Sequence, residues 1–170
     1  MNKDDITKYL QMVGYELAGT GKSLEIVLLG GAAMLIEIGN RESTHDVDTF
    51  FVSDFAALVK ASAVVAAREN LPDGWLNSAA AGFTYNFKKQ PEKNLWKSFP
   101  GLDVYVVSLD YLFATKIMAS RYKDRQDIRA LAAKLKIVRR KDVLTLITKY
   151  VAYEDISIEV LDEINFLFEA

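Results

Sequence analysis

Two carboxylates stand one residue apart in Asp46-Val47-Asp48, downstream of the glycine pair Gly30-Gly31. On an extended strand, side chains alternate faces, so Asp46 and Asp48 point the same way. Like charges held that close repel and are costly to desolvate together, which a hard divalent cation between them relieves. Taken alone, the pair reads better as two solvated acids at a strand end. Gly30 and Gly31 allow a backbone to approach phosphate closely, and a helix starting there offers free N–H groups to an anion. The same glycines also suit a tight strand-to-helix turn with no ligand.

The elements around these residues are legible from periodicity. Ile6, Tyr9, Leu10, Val13 and Leu17 recur at helical spacing, with Asp4 and Asp5 as caps and Gly19 and Gly21 as the stop. Leu24 to Leu29 reads as a buried strand ending at the glycines, and Ala32 to Ile38 as a short, closely packed helix ended by Gly39. Val47 to Val52 is a second strand carrying Asp48. Phe55 to Leu71 is a long helix closed by Pro72-Asp73-Gly74. Phe83, Tyr85 and Phe87 alternate with Thr84 and Asn86 as a third strand, and Leu102 to Val107 forms a fourth after the Pro100-Gly101 turn. From Ser108, a plausible N-cap, the pattern is wholly helical, at 109–122, 124–135, 141–150 and 156–168. The expected class is therefore α+β, a small mixed sheet flanked by helices with a helical bundle behind it. The core spans 1–108, and the helical region 109–170 packs on it as a single compact unit.

Whole-chain properties limit the alternatives. The 170 residues suit one domain with a proper core. With 26% charged and 51% hydrophobic residues the composition is that of an ordinary folded protein. A formal net charge of -2 supplies no global pull toward nucleic acid, so polynucleotide binding would have to be local. Without cysteine, disulfides, thiolate zinc sites and cysteine nucleophiles are excluded. The polar, acidic start and the lack of a membrane-length apolar run place the expectation in the cytoplasm, with no membrane partner. The basic stretch Lys134 to Lys141 (KLKIVRRK) holds five cations around an apolar pair and reads first as a solvated helix junction.

Gly30-Gly31, Arg41, Thr44, Asp46 and Asp48 together resemble the nucleotidyltransferase superfamily that includes DNA polymerase beta. The string GGAAMLIEIGNRESTHDVDTFF is most similar to the AbiEii-like toxin nucleotidyltransferases and their small uncharacterised relatives, where Arg-x-Thr-x-Asp-x-Asp is typical. Arg41 and Thr44 stand one residue further apart than in that pattern, so Ser43 and Thr44 compete for the hydroxyl position. A second block, YLFATKIMASRYKDRQDI, is similar in its Leu112, Lys116, Ala119 and Arg121, followed by Asp124 and Asp127. The resemblance covers roughly Leu24 to Leu131.

That resemblance implies a polymerase-beta-like fold and transfer of a nucleoside monophosphate from a nucleoside triphosphate to an acceptor hydroxyl. Magnesium would be held by Asp46 and Asp48, in a site that could take two ions. A third carboxylate normally comes from a neighbouring strand, and Asp103 is the best candidate. Gly30, Gly31, Arg41, Ser43, Thr44, Lys116 and, in reserve, Arg121 are the expected nucleotide contacts. Arg41, Lys116 and Arg121 could equally pair with Asp46, Asp124 or Asp127 and hold the helices to the sheet. Asp124 and Asp127 read better as a helix cap with local ion pairs than as catalysts. His45 should face away from the acids. Trp75 and Trp96 fit either packing or base stacking. The acceptor is an RNA, a protein or a small molecule, and an antitoxin-type protein is a possible partner. The alternative is an inactive scaffold of the same fold, which gains if Asp103 lies far from Asp46 and Asp48. A metal-dependent phosphohydrolase ranks last, because one histidine is poor material for a His/Asp metal cluster.

Overall fold

A computed structural model describes residues 1–79, 82, 84 and 87–168. The chain divides into two compact units, one formed by 1–83 with 93–107 and the other by 84–92 with 108–170.

The first unit is a five-stranded mixed sheet flanked by helices, as expected for an α+β nucleotidyltransferase core. Helix α1 (Lys3–Gly19) opens with a capping box. Asn2 accepts the N–H groups of Asp4 and Asp5, and Asp5 accepts that of Asn2, each at 2.9 Å. The cap is therefore Asn2, two residues ahead of Asp4: its side-chain oxygen accepts both orphan N–H groups, while Asp5 serves as the reciprocal acid of the box. Strand β1 (Leu24–Leu29) leads through the glycines into α2 (Gly30–Glu37). Strand β2 (Val47–Val52) is followed by α3 (Phe55–Glu69), which Asp54 caps by accepting the Ala57 N–H at 3.0 Å. Three further strands complete the sheet: β3 (Leu76–Asn77), β4 (Lys93–Phe99) and β5 (Leu102–Val107).

The strand order is β3-β2-β1-β5-β4. β1 is central and buried, antiparallel to β2 and parallel to β5. Parallel pairing in the interior explains why LEIVLL and LDVYVV read as nearly continuous apolar runs. β3 and β4 are edges, and neither announces itself by periodicity. The first is two residues long, while the second is largely exposed. The expected strand Phe83 to Phe87 falls in part outside the described residues, and the Phe87 N–H bonds Thr84 O at 3.0 Å in a turn.

The second unit is helical: α4 (Leu109–Ala119), α5 (Arg125–Leu135), α6 (Arg140–Ile147) and α7 (Ile158–Leu167), with 3-10 turns at Tyr122–Asp124 and Tyr153–Asp155. Residues 111–117 of α4 are all buried, the pattern of a helix enclosed on every side. α5, α6 and α7 supply that enclosure. Fully burying Leu112 or Ile117 contributes about 1.5–3 kcal/mol each. α4 ends earlier than its apolar pattern, because Ser120 turns left-handed (φ 47°) and Arg121 is extended. Among the described residues no helix is long and apolar enough to cross a membrane.

Candidate functional site

β1 delivers the chain to Gly30, whose φ of +64° lies in the region L-residues avoid. Space adds a second requirement. A Cβ on Gly30 would collide with the Asp48 carboxylate, and one on Gly31 with the Thr44 hydroxyl and, at 3.0 Å, with Arg41 Nη1. The glycine turn, Arg41, Thr44 and Asp48 are thus gathered at one place. The β1–β2 register explains it, since Asp48 lies opposite Leu29, the residue just before the turn.

Burial along β2 alternates as the pattern predicts. Val47 and Thr49 are fully buried, while Asp46 and Asp48 are half-buried on the other face. Asp46 sits just ahead of the strand, in the loop shaped by Thr44. The Thr44 N–H donates to Met1 O at 2.9 Å and its hydroxyl to Asp46 O at 3.1 Å. Thr44 is buried and Ser43 exposed, so Thr44 holds the hydroxyl position beside the glycines. His45 is exposed in the same loop. α2 has no side-chain cap at its start, where its first N–H groups need acceptors.

One residue at this place was not anticipated. Asn77 pairs with Asp48 across β2–β3, and its amide nitrogen lies 3.5 Å from Asp46 Oδ2, at the long limit of a hydrogen bond. The Thr49 hydroxyl donates to Asn77 O at 2.9 Å and the Val47 N–H to Trp75 O at 2.7 Å, which pin the short edge strand. Trp75 itself is core. It is 2% exposed, meets Tyr9 edge-on at 5.8 Å and donates its indole N–H to Ser62 O at 3.2 Å. Trp96 is half-buried on β4.

Asp103 is not brought to the pair. It lies opposite Glu25, whereas Asp48 lies opposite Leu29, four residues further along β1. At about 3.3 Å per residue that is about 13 Å along the strand. The reason is direction. β5 runs parallel to β1, so its beginning lies at the end of β1 remote from Gly30, and Val106 rather than an acid stands beside Leu28. Asp103 instead accepts a hydrogen bond from the Ser98 hydroxyl. Among the described residues no group of three or more His, Asp or Glu side chains is arranged to hold a metal ion. Two half-buried carboxylates still fit magnesium, which commonly takes one or two protein carboxylates and fills its shell with water and phosphate oxygens.

In the helical unit, Lys116 Nζ lies 2.7 Å from Asp124 Oδ1 and 2.8 Å from Asp127 Oδ2, all three residues being buried. Of the pairings open to Lys116, the one with Asp124 and Asp127 is formed. Arg121 is exposed. Asp110, in the first turn of α4, accepts the Tyr111 N–H at 2.9 Å and the Tyr150 hydroxyl at 2.5 Å. Burial pushes the Asp110 carboxyl up, but the hydrogen bonds it accepts, among them those of the Tyr150 hydroxyl and the Tyr111 N–H, outweigh it, leaving a net lowering. Burial and the Asp110 carboxylate together push the Tyr150 phenol well above its ordinary value. A cleft of about 340 Å³ in the sheet unit, lined by Leu17, Ala57, Ala61 and Val64, contains none of the candidate residues.

A family model described as a nucleotidyltransferase of unknown function (DUF6036) matches residues 9–166. The chain belongs to that family. No curated protein and no solved structure matches it. Membership of the DUF6036 family supports the nucleotidyltransferase superfamily expected from the glycine and aspartate motifs.

Proposed function

We propose that this DUF6036 chain is a magnesium-dependent nucleotidyltransferase. It takes a nucleoside triphosphate at the Gly30-Gly31 turn and transfers the nucleoside monophosphate to an acceptor hydroxyl. The observation that carries this reading is the seating of the glycine backbone directly against Asp48, Thr44 and Arg41. A turn without side chains, opening an uncapped helix, offers N–H groups and a favourable dipole to a phosphate. Arg41 adds a planar cation suited to phosphate oxygens. Asp46 and Asp48 hold magnesium, which when bound neutralises the triphosphate and the charge developing during transfer. In the transfer, the acceptor oxygen bonds to the α-phosphorus, the bond to the bridging oxygen breaks, and pyrophosphate leaves. The acceptor's proton passes to solvent or to a carboxylate.

Thr44 positions the loop, through its bond to Asp46 O, rather than touching the reacting atoms. Lys116 and Arg121 belong to the proposal through the AbiEii-like resemblance alone, and Lys116 would have to exchange two carboxylate partners to meet a phosphate. The same resemblance makes an RNA end or a protein side chain the first acceptors to try, with small molecules next. It also makes an antitoxin-type protein the first partner to seek.

Calorimetric titration with each of the four ribonucleoside triphosphates plus magnesium, followed by a labelled-nucleotide transfer assay, tests the proposal. Binding of at least one triphosphate that is lost in Asp48→Asn supports it. No detectable binding of any of the four defeats it. The scaffold reading gains from the register of Asp103, which leaves two acids at the turn instead of three. Magnesium-dependent binding without transfer to any acceptor, together with unchanged cellular activity in Asp46→Ala, would favour that reading.

A further inference from the structure

The segment 121–141 carries nine cations and two acids, while the rest of the chain carries twelve cations and twenty-one acids. A chain of net charge -2 therefore concentrates +7 in one-eighth of its length. Its only acids, Asp124 and Asp127, are buried against Lys116, so every exposed charge in the segment is positive. Two of the cations are paired from outside the segment, Arg125 with Glu163 and Arg139 with Asp142. Lys123, Arg129, Lys134, Lys136 and Lys141 are exposed with no ion pair among the described residues. The Nε of Arg140, shielded from solvent, has no acceptor there either.

Fold stability does not account for this placement. Lys134 and Lys136 complement the dipole at the end of α5, but Arg139, Arg140 and Lys141 crowd the start of α6, where cations oppose it. Aromatic rings edge the same surface. Tyr122 is 80% and Phe166 65% exposed, and the Arg125 guanidinium lies 4.7 Å and 4.3 Å from their ring centres, held by two 2.6 Å bonds to Glu163. Exposed rings fixed beside a cation offer a flat face to a π-system, while the unpaired Arg129 and Lys136, seven residues or about two turns apart along α5 and its C-cap, can follow a chain of phosphates.

We infer that this face docks a single-stranded nucleic acid, with bases stacking at Tyr122 and Phe166 and the backbone running along Arg129, Lys136 and Lys141. An acidic peptide would satisfy the cations but not the rings, and a duplex would hide its base faces. The inference does not rest on nucleotidyl transfer, and Arg121, which that proposal uses, is left unchanged in the test.

Fluorescence anisotropy with labelled single-stranded RNA and DNA of about 20 nucleotides, a duplex of equal length and poly-glutamate decides the matter. With about five phosphate contacts, single-strand affinity should fall about a hundredfold between 50 and 200 mM salt. Arg129→Gln/Lys136→Gln/Lys141→Gln should flatten the logarithmic salt slope by about 2, and Tyr122→Ala should cost about tenfold with the slope unchanged. Binding of RNA alone, or of RNA and DNA alike, supports the inference, the first adding a 2′-hydroxyl contact. Four results overturn it: no salt-dependent binding, preference for duplex, poly-glutamate binding as tightly as RNA, or parental affinity in both variants. All are surface changes, and circular dichroism melting checks that they fold like the parent.

Discussion

Two pairs of carboxylates, Asp124 with Asp127 and Asp46 with Asp48, differ in what surrounds them. Asp124 and Asp127 are buried, and Lys116 lies within 2.8 Å of both. Asp46 and Asp48 are half-buried at the start of a strand, Asp48 against the bare backbone of Gly30 and Asp46 3.5 Å from the Asn77 amide nitrogen. Charges withdrawn from water must be satisfied by protein, so the first cluster joins α4 to the start of α5. The second pair stays partly in water beside a turn without side chains, where the proposed magnesium and triphosphate would bind. Both clusters lie in family-like sequence blocks, though Asp124 and Asp127 already read there as a helix cap with local ion pairs.

The largest effect expected from breaking this contrast is Lys116→Met. Removing the ammonium leaves two buried carboxylates facing each other, and loss of one partner of a buried pair costs about 3–5 kcal/mol. Denaturant unfolding should show a lower midpoint at pH 7, recovered in part by the triple variant Lys116→Met/Asp124→Asn/Asp127→Asn. Equal stability of Lys116→Met and the parent would remove the structural role assigned to the cluster.

Asp48→Asn should act in the opposite sense. Its effect should fall on binding rather than on the fold: magnesium-dependent triphosphate binding should disappear while the protein stays folded. Gly30→Ala should join the two properties. A left-handed φ costs a non-glycine residue about 1–2 kcal/mol, and the new methyl displaces the Asp48 carboxylate, so stability falls modestly while nucleotide binding falls at least tenfold. Calorimetry and thermal melts on the two variants separate these outcomes.

How far the contrast could be read beforehand depends on the kind of information involved. Strands β1, β2 and β5 and the helices stood out because burial on one or both sides leaves a strong apolar pattern. β4 was missed because an exposed edge strand has nothing to alternate against, and β3 because two residues have no period. Asn77 was missed with it. The Gly30 and Asp48 contact was legible since a motif and a β1-turn-β2 order bring them together locally. Burial of Lys116 was not, because a lysine in an amphipathic-looking block gives no sign of which carboxylates will enclose it.

The Asp110–Tyr150 pair gives a smaller, pH-dependent test within the helical unit. The Asp110 carboxyl is held below its ordinary value, so its stabilisation is complete above the unfolded carboxylate value and is lost as pH falls through the folded one. The Tyr150 phenol is raised, so its contribution is complete below the unfolded value near 10 and fades as pH rises toward the folded one. Stability should therefore drop at both extremes. Asp110→Asn should bring the Tyr150 titration, followed by ultraviolet absorbance, to lower pH. An unmoved titration would mean that burial alone raises it.

The smallest expected effect is the one that most sharpens the comparison. Asp103→Asn replaces a half-buried acid of β5 whose partner, Ser98, can bond an amide as well, so stability should change by less than about 1 kcal/mol. Triphosphate affinity and transfer should match the parent, because β5 runs parallel to β1 and carries this residue to the end remote from the glycine turn. Chain order cannot reveal that direction: an acid near the start of a strand sits beside Asp48 only if the strand runs antiparallel to β1. A loss of transfer comparable to that of Asp48→Asn would mean that the third carboxylate does act with the pair, and the two-acid site inferred from the β1–β5 register would fall.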